Sequence, residues 1–376
     1  MTATPAVILA APATAGLRVA ALTLLDRLLV TLHRAGCGPI TVVAATPPPG
    51  LRRAPALGVK FQTVAAAPAR LEADTLVAET GLLTNVADVR RVIAAGGRLT
   101  TRDGQALPMA VLPAGTPWTA PAAEEGRRGA ALPVAVRDVP RVAAEGVSLP
   151  VADAAEARAA GRVFWAALSS SSDGMVDRWF NRPVGRPFAK LLATTPVTPN
   201  TVSVASILVG LAGAACFAAG TWAAAVLGAL LFQLSAVIDC MDGDIARSVF
   251  KESPLGKWLD IAGDQVVHLG VFLGIAAGLA RAGSPAPVGW LAASCAVGAG
   301  IAFAVVLRSL LRPELRGNGR LQRLIDLTTN RDFSVLVLAL ALAGRLEWFL
   351  WLAAVGAHAF WVLVLALQFA SRRANL

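Results

Sequence analysis

The chain is poor in the residues from which disulfide frameworks and thiolate or imidazole metal centres are built. Its four cysteines, Cys37, Cys216, Cys240 and Cys295, are widely scattered and form no CxxC pair. That excludes finger- or ribbon-type zinc sites and leaves reduced thiols as the expected state. The three histidines, His33, His268 and His358, are too dispersed to argue for zinc. No basic segment followed by an apolar run and a cleavage site opens the sequence, since AVILAA is only strand-length. The first domain is therefore expected to be cytoplasmic. Charged residues make up 15%, yet their balance is a formal +10. The arginines sit mainly beside apolar runs instead of forming an aromatic-interleaved patch, so nucleic acid is not an expected partner. An anionic membrane surface or phosphorylated substrates fit better.

What the chain has in excess is apolar length. It is 56% hydrophobic with a mean hydropathy of +0.61, above an ordinary soluble protein, and the excess is concentrated from about Thr198 to Ala370. A helix needs roughly 20 apolar residues to cross a hydrocarbon core. Counting on that basis gives six spans, near 200–219, 222–242, 255–280, 287–308, 333–344 extended into its flanks, and 346–369. Trp222, Trp290 and Trp348 lie near span ends, as interfacial aromatics do. Basic residues cluster before the first span (Arg178, Arg182, Arg186, Lys190), after the second (Arg247, Lys251, Lys257) and after the fourth (Arg308, Arg312, Arg316, Arg320, Arg323, Arg331). The positive-inside rule places those segments, and with them both termini, in the cytoplasm of an inner-membrane protein.

Three regions follow: an α/β domain over 1–165, a linker with an interfacial amphipathic helix over 166–197, and an all-α transmembrane domain over 198–376. In the first, AVILAA and ITVVAA read as strands around a helical stretch through Leu32. DTLVAETGLL precedes a helix around Ala87 to Ala95, which together suggest an α/β sandwich. Pro113 to Gly146, rich in Pro, Gly and Ala, reads as irregular or β-hairpin structure. In the second, DGMVDRWFNRPVGRPFAKLLATTPVTPN mixes apolar residues with cations, which suits a helix in the interface with its charges toward headgroups. Pro199-Asn200 can open the first span.

The chemistry-bearing residues are acidic. Asp239 and Asp242 are three apart at the end of one apolar helix and share a face; Asp260 and Asp264 are four apart and share a face of the next. The short basic segment from Ser248 to Leu255 can bring all four together. A carboxylate near hydrocarbon costs roughly 3 kcal/mol on insertion scales, so a cluster of four calls for divalent cations. All-oxygen ligation matches Mg²⁺ or Mn²⁺, and two such ions would clamp a pyrophosphate. Gly243 and Gly256 remove side chains where a nucleotide would approach, Ala246 keeps that face shallow, and Arg247 can bind phosphate oxygens.

Taken together, DCMDGDIARSVFKESPLGKWLDIAGD carries every fixed position of D-x2-D-G-x2-A-R-x8-G-x3-D-x3-D and resembles the signature of the CDP-alcohol phosphotransferase family. The resemblance implies transfer of a phosphoryl-alcohol group from a CDP-linked donor to an acceptor hydroxyl, with release of CMP. It implies metal binding at Asp239, Asp242, Asp260 and Asp264, with Asp264 also the base for the acceptor hydroxyl, and a cytidine diphosphate site lined by Gly243, Ala246, Arg247 and Gly256. Asp244 and Glu252 fall outside the pattern. For an acceptor phosphate, Arg308, Arg312, Asn330 and Arg331 are the expected contacts. Other expected partners are membrane lipids and a second copy of the chain.

The opening AVILAAPATAGLR, with LLVTLHRAGCGPITVVA, resembles the start of sugar-nucleotide-type nucleotidyltransferases. Here Pro12 and Ala13 stand where that family has glycines, and VAETGLLT lacks its metal-holding aspartate. Followed by DG-x-V-x-R-x2-N-R (Asp173, Gly174, Val176, Arg178, Asn181, Arg182), this order of parts resembles the bifunctional inositol phosphate cytidylyltransferase/di-myo-inositol phosphate phosphate synthases. That order implies a polyol phosphate acceptor, while the departures in the front motifs point to an inactive or changed front domain. A different class, a divalent-cation transporter, would also use intramembrane carboxylates, although transport does not require the Gly, Ala and Arg spacing.

Overall fold

The computed structural model describes residues 3–45, 50–68, 70–116, 139–169, 173–311 and 332–374, with side chains undescribed at 309–311 and 370–374. It divides into two compact units. The first is Met1–Leu168 with Ser248–Phe250, and the second is Ser169–Arg247 with Lys251–Leu376.

In the first unit the chain runs through β1 (Thr4–Leu9), α1 (Pro12–Ala15), β2 (Arg18–Val19), β3 (Leu22–Thr23), α2 (Leu24–Ala35), β4 (Cys37–Val43), α3 (Arg53–Ala56), β5 (Phe61–Val64), β6 (Thr75–Glu79) and β7 (Leu82–Leu83). It continues through α4 (Val86–Ala95), β8 (Arg98–Thr100), β9 (Ala106–Leu112), β10 (Arg141–Ala143), β11 (Leu149–Pro150) and α5 (Ala154–Ala167). Seven strands form one mixed sheet in the order β10-β8-β9-β6-β1-β4-β5. Strands β1, β4, β5 and β6 pair in parallel, while β9 is antiparallel to both β6 and β8. The α/β expectation holds. Of the stretch from Pro113 to Gly146, expected to be irregular or β-hairpin, the described part includes β10, which pairs parallel to β8. Residues 117–138 lie outside the described part.

Local chemistry sets the helix ends. Thr23 accepts from the Asp26 amide to open α2, and Gly36, at φ 99°, closes it in a left-handed conformation that only glycine adopts freely. Leu25, Leu28, Leu29 and Leu32 of α2 are fully buried against the sheet. Asn85 caps α4, and the buried Asp88 one turn later ties down the segment after β10. Asp88 accepts from the amides of Glu145 (2.9 Å) and Gly146 (3.2 Å), from the Ser148 hydroxyl (2.9 Å) and from the Asn85 side chain (2.7 Å).

Burial alone would push the Asp88 carboxyl up, but these donors outweigh it and hold it below its ordinary value. With the folded value depressed, its contribution to stability is full above the ordinary aspartate range and fades as pH falls through the lowered value. Asp88→Asn should therefore cost about 1–3 kcal/mol locally. Hydrogen exchange at Glu145 and Gly146 should accelerate by about tenfold or more, and unchanged protection there would refute the assignment.

The second unit is helical. A single π-helical turn (Asp177–Asn181) leads into α6 (Arg182–Ala193), and then come α7 (Pro199–Ala218), α8 (Trp222–Ser248), α9 (Pro254–Arg281), α10 (Val288–Leu311), α11 (Phe333–Leu342) and α12 (Leu346–Ala374). Five of these, α7, α8, α9, α10 and α12, are long and apolar enough to cross a membrane. Among the described residues that is one fewer than the six expected. The remaining one, α11, has ten residues, about 15 Å of helix. Its N-terminal neighbour Asp332 accepts from the amides of Met175 and Val176, while the Leu342 carbonyl accepts from Trp222 Nε1 at the start of α8. Gly344, at φ 65°, separates it from α12.

The segment expected as an interfacial helix has an exposed apolar face and a buried polar one. Trp179, Phe180, Phe188 and Leu191 are exposed, whereas Asp177, Asn181 and Arg182 are buried. Arg178 and Lys190 are exposed as anticipated. Arg182 instead turns inward because two carboxylates wait for it there.

Candidate active site

Helices α7, α8 and α9 approach closely because their contacts are made by small residues. A Cβ at Gly213 of α7 would sit 2.8 Å from the Gly228 carbonyl of α8. Along α9, Gly270, Gly274 and Gly278 repeat every four residues and face Ala214 and Phe217 of α7. A Cβ on Gly274 would collide with the Ala214 carbonyl, and one on Gly278 with that of Phe217. The acid-bearing ends of α8 and α9 are thereby brought together.

At that end Asp239, Asp260 and Asp264 each offer one carboxylate oxygen, all within 4.8 Å of one another. Three of the four expected metal ligands thus converge. Asp242, buried three residues after Asp239, accepts from the Ser203 hydroxyl and is not in this triad. Helix α7 supplies the neighbouring donors: Ser206 hydrogen-bonds Asp239 at 3.3 Å, and Ser235 of α8 donates to the Ser206 carbonyl at 2.9 Å. The only sign of Ser203 and Ser206 in the sequence is a pair of hydroxyls three apart in an apolar helix, which is too common to single out. A carboxylate-only triad suits a hard divalent cation such as Mg²⁺ or Mn²⁺.

The expected nucleotide-side residues have specific neighbours. A Cβ at Gly243 would lie 3.1 Å from both terminal nitrogens of Arg247, so this glycine clears space for that guanidinium. At Gly256 a Cβ would lie 2.9 Å from Asn200 Oδ1 and 3.1 Å from Ser253 Oγ. Ser253 caps α9 by accepting from the Gly256 amide at 2.9 Å. Ala246 is half-buried on α8.

The sequence reading assigned Asp244 no role, yet it is 1% exposed and pairs with three arginines. Arg182 and Arg247 donate to its Oδ1, the latter at 3.1 Å, and Arg186 lies 3.6 Å from Oδ2. Arg182 is also gripped by Asp173 through two 2.6 Å bonds. Burial by itself would lower the Arg182 pKa, but its hydrogen bonds to Asp173 and the charge of Asp244 hold it above its ordinary value.

The residues before α6 continue this network. Asn181 donates to Asp177 at 2.7 Å and accepts from Gln233 of α8 at 2.6 Å. Gly174 leaves room for the Asp332 carboxylate, which a Cβ there would meet.

Of the expected acceptor contacts, Arg308 is exposed near the end of α10. Arg312, Asn330 and Arg331 lie outside the described residues. Asp332, which belongs to the same run, accepts from the Met175 and Val176 amides.

In the α/β unit, the loop after β1 is closed by side chains. The Ala11 amide donates to Thr80 Oγ1 at 3.1 Å, and the Thr14 and Thr80 hydroxyls are 2.8 Å apart.

Comparison with known proteins gives a family match over residues 196–355, described as CDP-alcohol phosphatidyltransferase. A bifunctional IPC transferase and DIPP synthase of Rubrobacter xylanophilus is 36% identical over 135 residues, covering 35% of this chain and 30% of that protein. One from Thermococcus kodakarensis is 34% identical over 111 residues, 30% of this chain and 24% of its own. The matched stretch thus spans less than a third of these curated relatives. Among solved structures, the apo phosphatidylinositol phosphate synthase of Mycobacterium tuberculosis aligns with a TM-score of 0.36 at 23% identity, over 48% of this chain and 93% of that one. With the whole motif present and three of its aspartates gathered at one point, residues 196–355 match the CDP-alcohol phosphatidyltransferase family, a match over less than half of the chain.

Proposed function

We propose that the protein is an integral membrane CDP-alcohol phosphotransferase that moves a phosphoryl-alcohol group from a CDP-linked donor to an acceptor hydroxyl and releases CMP. The observation that carries this reading is the meeting of Asp239, Asp260 and Asp264 within 4.8 Å on the family's own motif. Divalent cations bound there would neutralise pyrophosphate oxygens and the charge that develops on them. Asp242 is proposed as the fourth acid of the site.

The residues then divide the work. Arg247 holds phosphate oxygens of the donor, Gly243 and Ala246 leave the α8 face open to the nucleotide, and Gly256 does the same at the start of α9. Asp264 accepts the proton of the acceptor hydroxyl. The acceptor oxygen bonds to the β-phosphorus of the donor while the bond from that phosphorus to CMP breaks, so CMP leaves with the electron pair.

Parity of the basic segments supports a cytoplasmic site and cytoplasmic termini, with α11 counted as a short sixth crossing. By domain order the donor is of the phosphatidyl or phosphoinositol type and the acceptor a polyol phosphate, for which Arg308, Arg312, Asn330 and Arg331 are the proposed contacts. The front domain is proposed to be a nucleotidyltransferase relative that no longer transfers nucleotide. The support is that Thr80 takes the Ala11 amide that a phosphate would otherwise need.

Purified full-length protein should release CMP when given CDP-diacylglycerol or CDP-inositol, a hydroxyl acceptor panel and Mn²⁺, and mass spectrometry should identify the joined product. Chelation with EDTA should reduce release to background, and added Mn²⁺ should restore it. CTP with inositol phosphate should yield no pyrophosphate. Metal uptake by proteoliposomes with no CMP from either donor would favour transport instead.

A further inference from the structure

The arginine cluster around Asp244 is unusual in composition and placement. Two carboxylates, Asp173 and Asp244, face three guanidiniums, Arg182, Arg186 and Arg247. The linked set therefore carries one positive charge in excess, at the end of α8 that bears the catalytic motif. Asp244 and Arg182 are nearly inaccessible, at 1% and 5% exposure, so neither charge is held there by solvent. Buried ions of this kind persist only where every partner is in place. Asp244 is the hub: it is the residue that touches all three arginines, and Arg247 at 3.1 Å is the one belonging to the family motif.

We infer that Asp244 is a positioning residue for donor binding. Its buried carboxylate holds the Arg247 guanidinium over Gly243, and Arg182, itself locked by Asp173, holds Asp244. A long arginine side chain loses much rotamer freedom when it grips a phosphate. One already held by a fixed carboxylate has lost that freedom before the ligand arrives, which raises affinity. The three arginines also place the surplus charge where an anionic pyrophosphate would lie, without Asp244 itself touching it. This explains why an acid is placed between the motif's glycine and arginine, where a cation would at first sight serve a phosphate better. The inference rests on the proposal that Arg247 binds the diphosphate of the donor.

The test is a double-mutant cycle on binding of CDP, with Mn²⁺ present, to the full chain in detergent micelles. Asp244→Asn should weaken CDP binding by about tenfold or more, the scale of one charge-assisted hydrogen bond. Arg247→Gln should weaken it at least as much. The two together should bind no worse than Arg247→Gln alone, because Asp244 acts through that side chain. A merely structural role would give additive losses in the cycle, and additivity overturns the inference. So does wild-type affinity in Asp244→Asn.

Should Asp244→Asn fail to fold, the pair Asp244→Asn/Arg182→Gln replaces a buried ion pair with two amides and keeps the charge balance. It should lose CDP affinity to the same extent, and full affinity in that pair overturns the inference. Wild-type protein unable to bind CDP at all would remove the phosphotransferase reading together with this one, and is thereby distinguished from failure of the inference alone.

Discussion

Asp264→Asn should reduce CMP release by about a thousandfold or more while leaving the protein folded. The loss of a general base alone costs roughly 10²–10⁴-fold, and here the same substitution takes one of three carboxylates from the triad. The side chain keeps its shape, so packing is spared and the effect is electrostatic. Its sign on stability is opposite. Like charges held within 4.8 Å of one another repel, so metal-free Asp264→Asn should unfold at a higher temperature than metal-free wild type. Added Mn²⁺ should then raise its melting temperature less than that of wild type. Thermal unfolding with and without Mn²⁺, alongside CMP release, measures both halves. A variant that turns over normally would remove Asp264 from the chemistry.

The second large effect is expected far from any charge. Gly274→Ala adds a single methyl, but that methyl meets the backbone carbonyl of Ala214, which cannot rotate away as a side chain can. Helices α7 and α9 must separate. Overpacking of this kind costs typically 1–3 kcal/mol, occasionally more. Because α7 carries Ser203 and Ser206 against Asp242 and Asp239, and α9 carries Asp260 and Asp264, the shift should spread into the site and reduce CMP release by at least tenfold. Gly300→Ala on α10 is the control, since a Cβ there meets nothing within 4 Å. It should be neutral, or stabilising by up to about 1 kcal/mol from helix propensity. Equal behaviour of the two variants in thermal unfolding would refute the close-contact account.

Much of this was legible in the chain. The apolar runs announced α7, α8, α9, α10 and α12, because helix length against bilayer thickness is a one-dimensional constraint. The site acids were legible because the i, i+3 and i, i+4 spacings place side chains on one helix face whatever the fold. One reading failed: Arg182 was assigned to headgroups, since a sequence pattern records how polar a residue is but not which neighbour receives it. Arg182 is buried by Asp173 and Asp244, which are separated from it by 9 and 62 residues.

The sequence by itself determined the membrane character, the motif and the candidate site acids, all of which follow from periodicity and residue type within short windows. Only the tertiary structure decided that Asp239, Asp260 and Asp264 meet while Asp242 turns to Ser203. It alone decided, too, that Asp244 gathers three arginines. Those outcomes depend on how closely α7, α8 and α9 approach, and that distance is fixed by carbonyl groups packed against glycines, contacts between residues far apart in the chain.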